Sequence, residues 1–239
     1  LQDATTGSNN VAVGCGALQV NTTGTCNIAM GVHSLLANTT GNNNVAIGFC
    51  ANATSTDKND NTAIGFKSLQ VNVGVGNTAV GAYSADSNTS AEGITAVGNR
   101  ALCSNTTGAN NTAMGMCAMR TNTTGASNTA VGMCSLFANT TASNNTAVGH
   151  NALLVNTTGT SNTAVGKDSL DENTTGAENT AVGVASLSTN ISGNQNTALG
   201  RSALNANTTS SNTAVGFQAL NAATTGSTNT AVGRISMDS

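Results

Sequence analysis

Apolar residues return along this chain in a fixed pattern. A small residue followed by a branched or long one and closed by glycine, A-V-G or a close variant, recurs with its Gly at 14, 31, 48, 65, 81, 98, 115, 132, 149, 166, 183, 200, 216 and 233. The spacing is seventeen residues, with two intervals of sixteen. The surrounding consensus reads N-T-A-V-G-x-x-[AS]-L-x-x-N-T-T-G-x-x, and Asn145 to Ser161 follows it throughout. Self-similarity at a fixed period marks a repeat architecture. The N-T-A-V and A-L segments are short, β-prone and bounded by Gly and Asn-Thr clusters that read as turns. Helix-pair repeats need about 33 residues or more, so this period predicts one coil with two or three short strands. Stacked coils then pair in parallel at about 4.8 Å per rung. The expected fold class is all-β, a parallel β-solenoid of about fourteen seventeen-residue coils. Residues 1–239 read as a single repeat array, a segment of a longer fibre protein. Two stretches break the consensus, Ala51 to Asp60 and the region around Asn72 to Gly76.

Within N-T-A-V-G the third position is Ala in every coil and the fourth is Val, Ile, Leu or Met. Successive strand residues point to opposite faces, so both faces of this strand are small or apolar. Such a strand is normally covered on both sides. One face can line the coil's own interior. The other calls for a cover from outside, and chains are expected to associate side by side along the Val or the Ala ladder.

Composition removes the ordinary alternatives. Only 7% of residues are charged, against about 25% in a typical soluble domain. Aromatics make up 2%, and Pro and Trp are absent, so the candidate core is Ala and Val rather than a globular filling of large side chains. With 38% hydrophobic residues and a net charge of −3, the chain also lacks the low hydrophobicity and high charge of disorder. Seven basic residues are too few for a nucleic-acid stripe. His33 and His150 sit seven rungs apart, and no Ser-His-Asp, paired-carboxylate or H-E-x-x-H arrangement is present. The reading is of a protein that is not an enzyme, with no catalytic residues, no metal and no cofactor.

The motif N-[TV]-A-[VI]-G, as in Asn44-Val45-Ala46-Ile47-Gly48, followed by x-x-[AS], resembles the head repeats of YadA-like trimeric autotransporter adhesins. Similar repeats occur in phage and virus fibre proteins. The resemblance covers essentially the whole chain, although these coils are wider than the family's usual repeat. It implies a left-handed β-roll, a homotrimer, and an extracellular, cell-surface or virion-surface location. The partners it implies are further copies of the chain and a host-surface receptor or glycan, with no nucleic acid and no membrane insertion in this segment. The leading function is a structural or adhesive fibre that mediates attachment. Two alternatives stand beside it: a purely structural glycosylated extracellular filament, and an ice-binding β-solenoid presenting Thr ladders at about 4.8 Å.

Candidate site residues follow from the repeat. Two Asn ladders satisfy N-x-[ST], the acceptor sequence for N-glycosylation. One opens N-T-A; the other opens N-T-T, at Asn21, Asn38, Asn105, Asn122, Asn139, Asn156, Asn173 and Asn207. Two readings remain open for the second ladder, glycan attachment or amides stacked at solenoid turns, where Asn tolerates left-handed backbone. Cys117 and Cys134 occupy one position on consecutive rungs, about 4.8 Å apart and so within disulfide range. A ladder of small free thiols is the other reading. The two positions after the motif Gly vary and are expected to face outward; Phe49, Phe66, Tyr83, Arg100, His150, Lys167, Arg201 and Phe217 are candidates for surface contact, with Lys67 and Arg234 in the same columns. Asp57 to Asn61 opens like a calcium loop but lacks its Gly and final Glu, and reads as a polar surface bulge.

Overall fold

A computed structural model describes residues 6–222 and 225–237. It is all-β and solenoidal, as the period requires, and no helix occurs among the described residues. The chain comprises two compact units, residues 1–124 and 125–239. The first carries β1 (Val11–Val13), β2 (Ile28–Met30), β3 (Val45–Ile47), β4 (Thr62–Ile64), β5 (Thr78–Val80), β6 (Thr95–Val97) and β7 (Thr112–Met114). The second carries β8 (Thr129–Val131), β9 (Thr146–Val148), β10 (Thr163–Val165), β11 (Thr180–Val182), β12 (Thr197–Leu199), β13 (Thr213–Val215) and β14 (Thr230–Val232). Within each unit every strand pairs in parallel with the next, residue on equivalent residue: Ala29 on Ala46 in the first, Ala147 on Ala164 in the second. The remaining residues of each coil are turns, yet they too are strapped to the neighbouring coils by backbone bonds, as in Leu35 N–H to Ala51 O at 3.0 Å and Leu153 N–H to Ser169 O at 3.0 Å.

The strand's two faces resolve simply. Its central Ala points inward and is buried in every coil from Ala29 onward. The flanking Val, Ile, Met or Thr point outward, with Val13 53%, Met30 42% and Leu199 45% exposed. The Val ladder, not the Ala ladder, is therefore the uncovered one.

The strand ends where glycine is required. Gly48 has φ 132, and a Cβ there would lie 2.4 Å from the carbonyl oxygen of Gly65 on the next rung. The interior Leu found in most coils is more surprising. Leu35, Leu102, Leu153 and Leu187 have φ between 46 and 52, a left-handed conformation rare for non-glycine residues. Each is fully buried. Left-handed backbone costs about 1–2 kcal/mol, which burial of a Leu side chain at about 1.5–3 kcal/mol offsets.

Much of the remaining interior is amide, beside small buried Ala and Ser. In the pre-strand column, Asn27 Oδ1 accepts from the backbone N–H of Asn44 at 2.9 Å, while Asn27 Nδ2 donates to Gly41 O at 2.8 Å. In the N-T-T column, Asn38 Nδ2 donates to Asn21 Oδ1 at 2.9 Å and to Gly41 O at 3.1 Å. One turn carbonyl thus receives two side-chain amides. The second unit repeats the device, with Asn145 Nδ2 and Asn156 Nδ2 both donating to Gly159 O at 2.9 Å.

Candidate functional surface

The strand-ending Gly throws the two following residues to the outside of each coil. The second of them takes a left-handed backbone, at φ 58 in His33 and Tyr83 and φ 57 in Arg100. These columns hold the candidate contact residues, and the structure gathers them into patches.

In the first unit, His33, Phe49, Phe66 and Tyr83 lie on successive coils and form a continuous ring stack. Centroid separations are 6.3 Å for His33–Phe49, 5.4 Å for Phe49–Phe66 and 5.2 Å for Phe66–Tyr83. Phe49 and Phe66 are nearly parallel, 12° apart, whereas Tyr83 meets Phe66 edge-on at 67°. Lys67 Nζ lies 5.7 Å from the Phe66 centroid, and the Arg100 guanidinium carbon 5.6 Å from that of Tyr83. Such distances suit cation–π contact. The Phe49 and Phe66 faces turned toward each other are spent on that stack; ring edges and two cations are left toward solvent. Phe49 and Phe66 remain 43% and 42% exposed.

The second unit carries two smaller groups. Arg201 and Arg234 flank the Phe217 ring, their guanidinium carbons 5.7 and 5.5 Å from its centroid. His150 and Lys167 converge on Asp168: Lys167 Nζ is 3.2 Å from Oδ2, His150 Nδ1 is 3.7 Å from Oδ1, and Asn151 Nδ2 donates to Oδ1 at 3.2 Å. His33 and Asp168, which organise two of these groups, are not among the contact residues expected from sequence. The signal was their position, two residues after the motif Gly.

Other expectations need correcting. All eight N-T-T asparagines, Asn21, Asn38, Asn105, Asn122, Asn139, Asn156, Asn173 and Asn207, are fully buried. Their Nδ2 atoms donate inside the coil, as Asn105 does to Asn88 Oδ1 and to Gly108 O, both at 3.1 Å. A glycan on Nδ2 would displace those bonds and force the coil open, so the stacked-amide reading holds for the folded chain. All six cysteines, Cys117 and Cys134 included, are free thiols. Residues 57–61 lie partly at the surface but do not bulge: Asp60 N–H donates to Asn42 O at 3.1 Å and Val45 N–H to Asn61 O at 2.8 Å, in register with the neighbouring coils. Lys58 Nζ sits 3.2 Å from Asp57 and, by its hydrogen bond first, holds that carboxyl below the usual carboxylate range. Among the described residues no group of three His, Cys, Asp or Glu is placed to hold a metal ion, and no helix is long and apolar enough to cross a membrane.

The sequence matches no family model and no curated protein. What the chain can do therefore rests on the two exposed columns and on the apolar strand face beside them.

Proposed function

We propose that this chain is an attachment fibre segment, YadA-head-like, working at a cell or virion surface as a homotrimer. The observation that carries the reading is a division of labour within the coil. The Ala, Leu and Asn that build the coil are buried and recur from rung to rung, while the two columns after the strand Gly are outward-facing and vary. Variation on a fixed frame suits recognition, and the aromatic and basic residues are concentrated there. Phe66 with Lys67, Tyr83 with Arg100, and Phe217 between two arginines suit a host glycan or a receptor bearing hydroxyl and anionic groups. The outward Val ladder, uncharged and uncovered, supports side-by-side association.

Two measurements test this. Binding to a glycan array and to host-cell surfaces is expected for the native chain, and is expected to drop at least tenfold in a Phe66→Ser, Arg100→Ser double variant that melts like the parent. No binding by the parent leaves the filament reading in its place. The native mass in solution is expected to be that of three chains, and a single-chain mass overturns the trimer.

A further inference from the structure

At one coil of the first unit the interior loses both its Leu and its N-T-T Asn to other, polar residues. Asn52 stands in the Leu column between Leu35 and Leu69, and Ser55 stands in the N-T-T column between Asn38 and Asn72. Both are fully buried. The backbone does not swerve to expel them: Ala37 N–H donates to Ala53 O at 3.0 Å, Thr39 N–H to Thr56 O at 2.7 Å and Asn52 N–H to Ser68 O at 2.9 Å.

The side-chain ladder does break. Elsewhere in this unit the N-T-T Oδ1 accepts from the next rung, as Asn21 Oδ1 does from Asn38 Nδ2 and Asn88 Oδ1 from Asn105 Nδ2; in the second unit Asn190 Oδ1 is also without a donor, beside the shortened turn at Asn207. Ser55 has no carboxamide, so Asn38 Oδ1 is left buried without a donor, and Ser55 Oγ and Asn52 Nδ2 are likewise buried and unpartnered. From the far side, Asn72 Nδ2 reaches across to Asn52 Oδ1 at 3.4 Å. An acceptor, a hydroxyl and a donor thus belong to one stretch of interior, where the side chain has been cut from Asn to Ser.

We propose that this coil binds one internal water molecule in place of the missing carboxamide. The water accepts from Asn52 Nδ2 and donates to Asn38 Oδ1 and Ser55 Oγ. Buried waters typically make about three such bonds, and one water occupies about 30 Å³, on the scale of the amide group removed. It reconnects the ladder from Asn38, through Asn52, to Asn72. The site is independent of the attachment reading, since nothing in it reaches the exposed columns.

Water-selective nuclear Overhauser spectroscopy on the whole chain tests the site. A long-lived cross-peak from water to the Asn52 side-chain amide is expected, and its absence overturns the proposal. Ser55→Asn restores the carboxamide; it should abolish that cross-peak and raise Tm by about 2–4 °C, the shift for about 1 kcal/mol in a chain of this size. A cross-peak that persists in the variant, or a Tm that does not rise, overturns it equally.

Discussion

Asparagine does in this protein what large apolar side chains do in a globular core. Its amide offers a donor and an acceptor on a short stem, enough to span one rung and to hold a turn carbonyl at once. The consequence is severe when an amide is lost. Asn105→Ala removes the bonds to Asn88 Oδ1 and Gly108 O and the bond that its own Oδ1 accepts from Asn122 Nδ2 at 2.7 Å. Gly108 O keeps Asn111 as a donor but Asn88 Oδ1 is stranded, so the change should destabilise the first unit by about 1–3 kcal/mol, measured by urea or thermal unfolding. At this scale the sequence was half legible. Gly at the strand end and Asn at the turns announce themselves because their backbone or hydrogen-bonding needs are special. The left-handed Leu does not: Leu35 at φ 46 contradicts local preference, and only the burial of its side chain by neighbouring coils makes it acceptable. The choice between a glycan and a stacked amide was left open in the sequence for a related reason. N-T-T is the same tripeptide whether its amide faces water or a turn carbonyl, and the facing is decided by the coil as a whole.

The coil is the element that matters, more than any strand of three residues. Its tolerance of length change shows where its slack lies. The two sixteen-residue intervals, Gly65 to Gly81 and Gly200 to Gly216, leave strand register intact, with Ala63 on Ala79 and Ala198 on Ala214. The missing residue is absorbed in the N-T-T-G turn. There Asn72 and Asn207 donate to the carbonyls two residues on, Gly74 and Thr209, instead of three on as in Asn88 to Ala91. Repeat proteins are approximately sums of like units and their interfaces. Excising Thr146–Asn162, one whole coil, should therefore leave a folded, cooperatively melting second unit with an unchanged β circular-dichroism signal per residue. Excising half that length should abolish cooperative melting. The period, the strands and their parallel register were all readable from the recurrence of A-V-G. The interior amide network was readable only as one of two alternatives, because Asn at a turn reads the same whether it lies inside the coil or outside it.

Across the molecule, charge is scarce and mostly superficial, which makes the partly buried carboxyls the main pH-sensitive groups. Burial pushes Asp171 above the usual carboxylate range, with the hydrogen bond from Ser188 at 2.6 Å pulling the other way. Burial also raises Asp86, opposed by Lys67. A carboxyl raised in the folded state weakens folding wherever it is ionised, and the penalty vanishes below the unfolded value of 3.8. Asp171→Asn should accordingly raise Tm at pH 7 and lose that advantage at about pH 3, as followed by scanning calorimetry. Molecular recognition is the level at which sequence said least. The exposed columns could be located from the period, yet the ring stack from His33 to Tyr83 and the grouping around Asp168 depend on side chains sixteen to eighteen residues apart meeting in space.

Rung-on-rung pairing also fixes how each unit would yield to force. Every coil is fastened to its neighbours by its own set of short bonds, and few of those bonds reach beyond the adjacent rung. A pull on the chain then loads one coil at a time, and the outermost opens while those behind it stay closed. Each event releases about 60 Å of slack from seventeen residues. In a fibre of the kind proposed above, this would be extensibility without rupture: tension is dissipated in increments, and each coil can close again on the template of the next.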